Sequence, residues 1–178
     1  MVDASNPFGA PQENDDDEFD VDLGEDNGGG LLLPTGYYEA VLTDLDKGQS
    51  NAGNPMWVWQ LRLTGNLAQK VGGNASGKMK IEPGDQKLNG REFRIYTAIT
   101  PAAMWKLRET LLAFGLSTGK EKNSKFKKAD AIRRMCIVHL VDDEYQDVKR
   151  SSVKKALPHP ESTGKMFEGK FKDSDIPF

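Results

Sequence analysis

From Met56 to Thr64 the chain alternates without a break: Trp57, Trp59, Leu61 and Leu63 fall on one face, Val58, Gln60 and Arg62 on the other. A period of two marks a strand with one buried side, and the more apolar set predicts the core. Three more stretches have the same character. Tyr37-Tyr38-Glu39-Ala40-Val41-Leu42-Thr43, inside Gly36 to Asp46, is β-prone and predicts a strand before it. Arg91 to Ile99 predicts a third, with Phe93, Ile95, Thr97 and Ile99 opposite Arg94, Tyr96 and Ala98. Met135 to Val141 is densely apolar and predicts a fourth. A turn at Asp142-Asp143-Glu144 then leads to a basic fifth strand, Gln146 to Ala156. Between these lie a loop at 47–54 and a long Gly-rich, basic connection at 65–90.

One helix is expected. Thr100 reads as its N-cap, Pro101 as its first residue and Gly115 as its stop, with Met104, Leu107, Leu111 and Phe114 as its buried stripe. A short helical turn is expected around Ala129–Ile132. The order strand, strand, strand, helix, strand, strand predicts a mainly β chain. It matches a single OB-fold over residues 33–158, a five-stranded Greek-key barrel with its helix between strands three and four.

Charge divides the chain differently. The formal net charge is -3, yet residues 1–30 carry ten acidic and no basic side chains, and 161–178 carry four acids against three lysines. The body between them is therefore net +8. A basic body attracts polyanions. The arm 1–32 is too polar to fold alone and predicts disorder, an acidic screen or solubilising tail. Residues 159–178 predict a flexible polar linker ending in Asp173-Ser174-Asp175-Ile176-Pro177-Phe178. Pro177 keeps that tip extended, and Phe178 with Asp173 and Asp175 suits a basic, apolar partner pocket.

Single-strand binding needs cations for phosphates and π-faces for bases. The candidates are Arg62, Arg94 and Tyr96 on strands two and three, Lys78 and Lys80 in the long connection, and Lys149, Arg150 and Lys154 on strand five. Trp57 is kept with them, although its alternation also places it on the core side. No group fixes base sequence, so little sequence preference is expected. Gly72 to Lys78 has the glycine and lysine spacing of a phosphate loop, but Met79 stands where a hydroxyl is required and no helix follows. Asp142, Asp143 and Glu144 share one predicted turn, whereas a two-metal site gathers carboxylates from separate elements. His139, His159 and Cys136 lack ligand-spaced partners. No catalytic residue, metal site or cofactor is expected. One cysteine excludes an intrachain disulfide, and a soluble cytoplasmic protein with no membrane span is expected.

Two resemblances sharpen this. The Asp173–Phe178 tip resembles the acidic Ile-Pro-Phe ending of bacterial single-stranded DNA-binding proteins, which implies docking of replication, recombination or repair enzymes through Ile176, Pro177 and Phe178. Leu33-Pro34-Thr35-Gly36-Tyr37-Tyr38-Glu39-Ala40-Val41, with Arg133–Val138 and Val153–Pro158, resembles bacteriophage OB-fold single-stranded DNA-binding or annealing proteins. The implied function is coating of single-stranded DNA during phage replication, recombination or repair, in the host cytoplasm. An annealing or recombination-mediator role and a protein-only OB-fold adaptor stay open, as does homo-oligomerisation.

Overall fold

The computed structural model describes residues 32–72 and 77–169. The acidic arm up to residue 31, the tip 173–178 and the middle of the phosphate-loop lookalike lie outside the described residues. The chain is mainly β, and its described residues form six strands in one antiparallel sheet: β1 (Gly36–Gln49), β2 (Pro55–Lys70), β3 (Met79–Pro83), β4 (Glu92–Ala98), β5 (Met135–Tyr145) and β6 (Val148–Pro158). Two helices, α1 (Met104–Ala113) and the single turn α2 (Lys128–Ala131), lie between β4 and β5.

β1 organises the sheet. It pairs with β2 from Tyr37 to Gln49, and its first half pairs with β5 from Gly36 to Val41. Register shifts against β2 at Tyr38/Ala40 and Leu42/Asp44 bend it, as bulges do, so the two ladders can diverge. β2 is long enough to serve two partners on its other edge. β4 pairs with Met56–Arg62 and β3 with Asn66–Lys70. Gly65 marks the change of partner with φ 93°, a backbone that side chains resist. The expected 65–90 connection is thus mostly structured: its start extends β2, 79–83 is a sixth strand not anticipated from the sequence, and Leu88 plugs into the core from a 3-10 turn.

The sheet curls around Trp59, Leu61 and Leu63 from β2, Leu42 from β1, Ile95 from β4, Val138 and Leu140 from β5, and Leu107 and Leu111 from α1. Trp59 stacks on Phe114 with ring centroids 5.5 Å apart and 3° between planes, and its indole N–H donates to Thr97 Oγ1 at 2.9 Å. That bond offsets the cost of burying an indole N–H and a hydroxyl together. α1 closes one side by packing on β4 and β6.

The helix begins differently from expectation. Thr100 is extended but makes no capping bond, and Pro101–Ala103 form a 3-10 turn before the α-helix starts at Met104. The end is as expected. Gly115 adopts φ 64°, its N–H donates to Leu112 O, and Leu116 N–H donates to Leu111 O, a Schellman closure.

The β5–β6 turn is at Gln146-Asp147, with φ 50° and 63°, rather than at Asp142–Glu144. Two consecutive left-handed residues suit the right-handed twist of a hairpin. The acids stay in β5 because β6 supplies opposite charges: Asp143 faces Arg150 and Glu144 faces Lys149.

The stretch 159–169, expected as a loose linker, is packed on the body. Met135 N–H donates to Lys165 O at 2.8 Å, Phe167 N–H donates to Arg133 O at 2.7 Å, and the Arg133 guanidinium donates to the carbonyls of Phe167 and Gly169. Backbone bonds hold this strap, so few apolar side chains are needed. Its anchor is His159, fully buried, with Nε2 2.7 Å from Glu39 Oε2. Thr64 and Asn66 donate to the other oxygen at 2.7 and 3.0 Å. Burial pushes the Glu39 carboxyl up, but the hydrogen bonds from His159, Thr64 and Asn66 and the His159 charge outweigh it. Its pKa is held below the ordinary value.

Candidate nucleic-acid interface

β4 and β6 end the sheet on either side of a groove of about 620 Å³. One wall carries Arg91, just before β4, with Arg94 and Tyr96 on β4; the β6 wall carries Arg150, Ser151 and Ser152, and α1 contributes Lys106. Register explains the β4 wall. Ile95 and Thr97 pair with Trp59 and Trp57 and turn inward, so Arg94 and Tyr96, opposite Gln60 and Val58, turn outward. Tyr96 is left 46% exposed, a large ring on the same outward face as Arg94. Among the described residues, neither Arg94 nor Lys106 lies within ion-pair distance of a carboxylate.

Other charges near the groove are committed. Arg62, expected to share the face of Arg94, is buried and pairs with Glu92 across the strands at 3.2 Å. It is not presented to a ligand; it sets the β2–β4 register. Arg150 donates to Asp143 at 3.0 Å and lies over the Tyr145 ring at 4.9 Å. That pair is exposed, so its energy is small and a phosphate could displace the carboxylate. Tyr145 and Lys149 extend the same hairpin into solvent beyond the groove.

The remaining candidates are scattered. Trp57 is half-buried, edge-on to Phe126 at 5.7 Å, and lines a different cleft with Lys47, Lys125 and Lys128. Lys128 there is engaged by Asp44 and Asp46, and that contact lowers the Asp44 pKa. Lys78 and Lys80 are exposed at β3, with Lys80 3.8 Å from Glu82. Lys154 lies on the outer face of β6 beside His139, away from the groove.

The structure therefore gathers Arg94, Tyr96 and Arg150 and separates Trp57, Arg62, Lys78, Lys80 and Lys154 from them. Sequence reasoning missed Arg91, Lys106 and Tyr145. Lys106 had a readable signal, since it lies off the 104–107–111 apolar stripe of its helix.

Chemically the groove offers cations and a π-face, with Glu92 and Asp143 as the carboxylates of its lining. Among the described residues no three His, Cys, Asp or Glu side chains come close enough to hold a metal ion. The stretch after Lys78 is strand β3 and not a helix, so it lacks the helix N-terminus on which a phosphate loop depends. Among the described residues no helix is long and apolar enough to cross a membrane. No protein-family model matches the sequence, and no curated protein matches it.

Proposed function

We propose that the chain binds single-stranded DNA with little sequence preference, in the groove between β4 and β6 of an OB-fold barrel. The barrel reading is supported by element order, by β1 shared between β2 and β5, and by a helix packed at the end of the β4–β6 gap. β3 is then an insertion on the far half of β2. One observation carries the functional reading: an exposed Tyr96 beside an uncommitted Arg94, with Lys106 and Arg150 lining the same groove. A base stacked on such a ring contributes about 1–3 kcal/mol whatever its identity, and the cations meet the backbone. Nothing in the groove forms a fixed donor–acceptor pair for one base edge, so affinity without sequence choice is the expected outcome.

The acidic tip Asp173–Phe178 serves, in this proposal, to recruit a replication or repair enzyme. Removing Ile176–Phe178 is expected to leave DNA affinity intact and abolish capture of that enzyme; undiminished capture would take the tip out of the proposal.

The test of the central claim is fluorescence anisotropy of a labelled dT oligonucleotide of about 16 nucleotides, titrated at several salt concentrations beside a duplex of equal length. Salt-sensitive binding that prefers the single strand is expected. Absence of binding at low salt would favour a barrel that binds protein only. Equal binding to the duplex would reduce the groove to a general polyanion surface.

A further inference from the structure

Past the region covered by the 159–169 strap, the outer face of β1, β5 and β6 carries an aromatic pair. Tyr37 and His139 are cross-strand partners, stacked with centroids 4.4 Å apart and 14° between planes. Both are half-buried. Lys70 at the end of β2 stands over the Tyr37 ring, 5.4 Å from its centre. Lys155 is the β6 partner of His139, and Lys154 precedes it at a register shift that leaves it exposed. Three lysines from two strands thus surround one two-ring platform. They are close enough to act on it: burial first, then Lys154, Lys155 and Lys70, push the His139 pKa down, so the ring is neutral near pH 7.

A structural role alone accounts poorly for this cluster. Cations packed around a histidine repel one another and gain no compensating carboxylate, because among the described residues no ion pair involves Lys70, Lys154 or Lys155. A polyanion with planar bases would satisfy both parts, phosphates on the lysines and a base on the exposed edge of the Tyr37–His139 stack.

The patch lies on the other side of the β6 edge from the groove. Arg150 on the groove wall and Lys154 are four residues apart on β6, about 13 Å along a strand. We infer that Tyr37, His139, Lys70, Lys154 and Lys155 form a second single-strand contact surface, onto which a strand leaving the β4–β6 groove passes around the β6 edge. This rests on the groove reading above and adds to it a site that only a longer strand can reach.

The experiment compares labelled dT oligonucleotides of about 6 and about 30 nucleotides, within and beyond the span of one such groove. They are titrated into the full chain, the triple variant Lys70→Ala, Lys154→Ala, Lys155→Ala, and the groove variant Arg94→Ala, Tyr96→Ala. The triple variant is expected to bind the short strand as the parent does and the long strand at least tenfold more weakly. Its salt slope for the long strand should be shallower by about 2, from three lost phosphate contacts. Because the lysines are exposed or half-exposed, folding is not at stake; the milder Lys→Gln triple should give the same pattern. If the triple variant binds both lengths like the parent while the groove variant fails on both, the second surface is overturned and the groove stands. Equal weakening of both lengths by the triple variant would also overturn it, since the patch would then belong to the primary site. If the parent chain binds neither strand, groove and patch fall together.

Discussion

The β4–β6 groove and the strap-covered face of β1 and β5 use polar groups in opposite ways. On the covered face, Glu39 is buried but takes hydrogen bonds on both oxygens, from His159 on one and from Thr64 and Asn66 on the other. At the groove, Tyr96 and Arg94 face solvent, and Arg150 has only an exposed carboxylate and the exposed Tyr145 ring for company. Polar groups that hold a fold are matched and buried, whereas polar groups that await a ligand are left under-matched and wet. The contrast separates structure from binding more clearly than residue type does, since both faces contain cations and carboxylates.

That division makes testable claims. The largest effect is expected at the strap anchor. His159→Ala leaves the buried Glu39 carboxylate short of the one partner on its Oε2 and should cost about 3 kcal/mol of stability. Urea unfolding measures this, and single-strand affinity of the folded variant should be unchanged. A variant as stable as the parent would show the strap to be ornamental. Next comes Tyr96→Ala, expected to cost about 2 kcal/mol of single-strand binding, roughly 30-fold, with the unfolding midpoint unmoved. Loss of stability without loss of affinity would invert the comparison.

A smaller effect is expected in acid. The folded-state pKa of Glu39 lies below its ordinary value of 4.5, so the stability it contributes is complete above that pH and is lost as pH falls through the folded value. Glu39→Gln should therefore flatten the acid limb of stability by up to one proton, read from unfolding curves between about pH 5 and pH 2. An unchanged limb would mean that other carboxylates carry it. The smallest effect sharpens the boundary between the two classes. Arg62→Met keeps the buried stem while removing the charge paired to Glu92, and single-strand affinity should move by less than about twofold. A tenfold loss would return Arg62 to the groove.

The parts legible in the sequence were those encoded locally. Alternation placed Trp59, Leu61 and Leu63 in the core and turned Arg94 and Tyr96 outward, and Gly115 ended its helix as its conformation demands. What was not legible depends on register between distant segments. Arg62 looks like any outward cation until the β2–β4 pairing sets Glu92 opposite it. Tyr37 and His139 become a stack only when β1 and β5 align. The hairpin turn was hidden because Gln146-Asp147 lacks the glycine that usually announces it, and three acids upstream were a louder signal. The strap was invisible because its bonds run through carbonyls of Lys165, Phe167 and Gly169, which every residue type carries.

Cys136 gives the fold a built-in clock. It is the chain's one cysteine, lies at 0% exposure near the start of β5, and its thiol is pushed upward by burial and by the nearby Glu39 charge. In the native protein such a sulfur is neither reachable nor ionised. An alkylating reagent can consume it only when β5 parts from its neighbours, so the labelling rate counts openings of the sheet directly. Followed by intact mass with and without a bound strand, the same single atom would report how far a ligand on the outside slows the breathing of the inside.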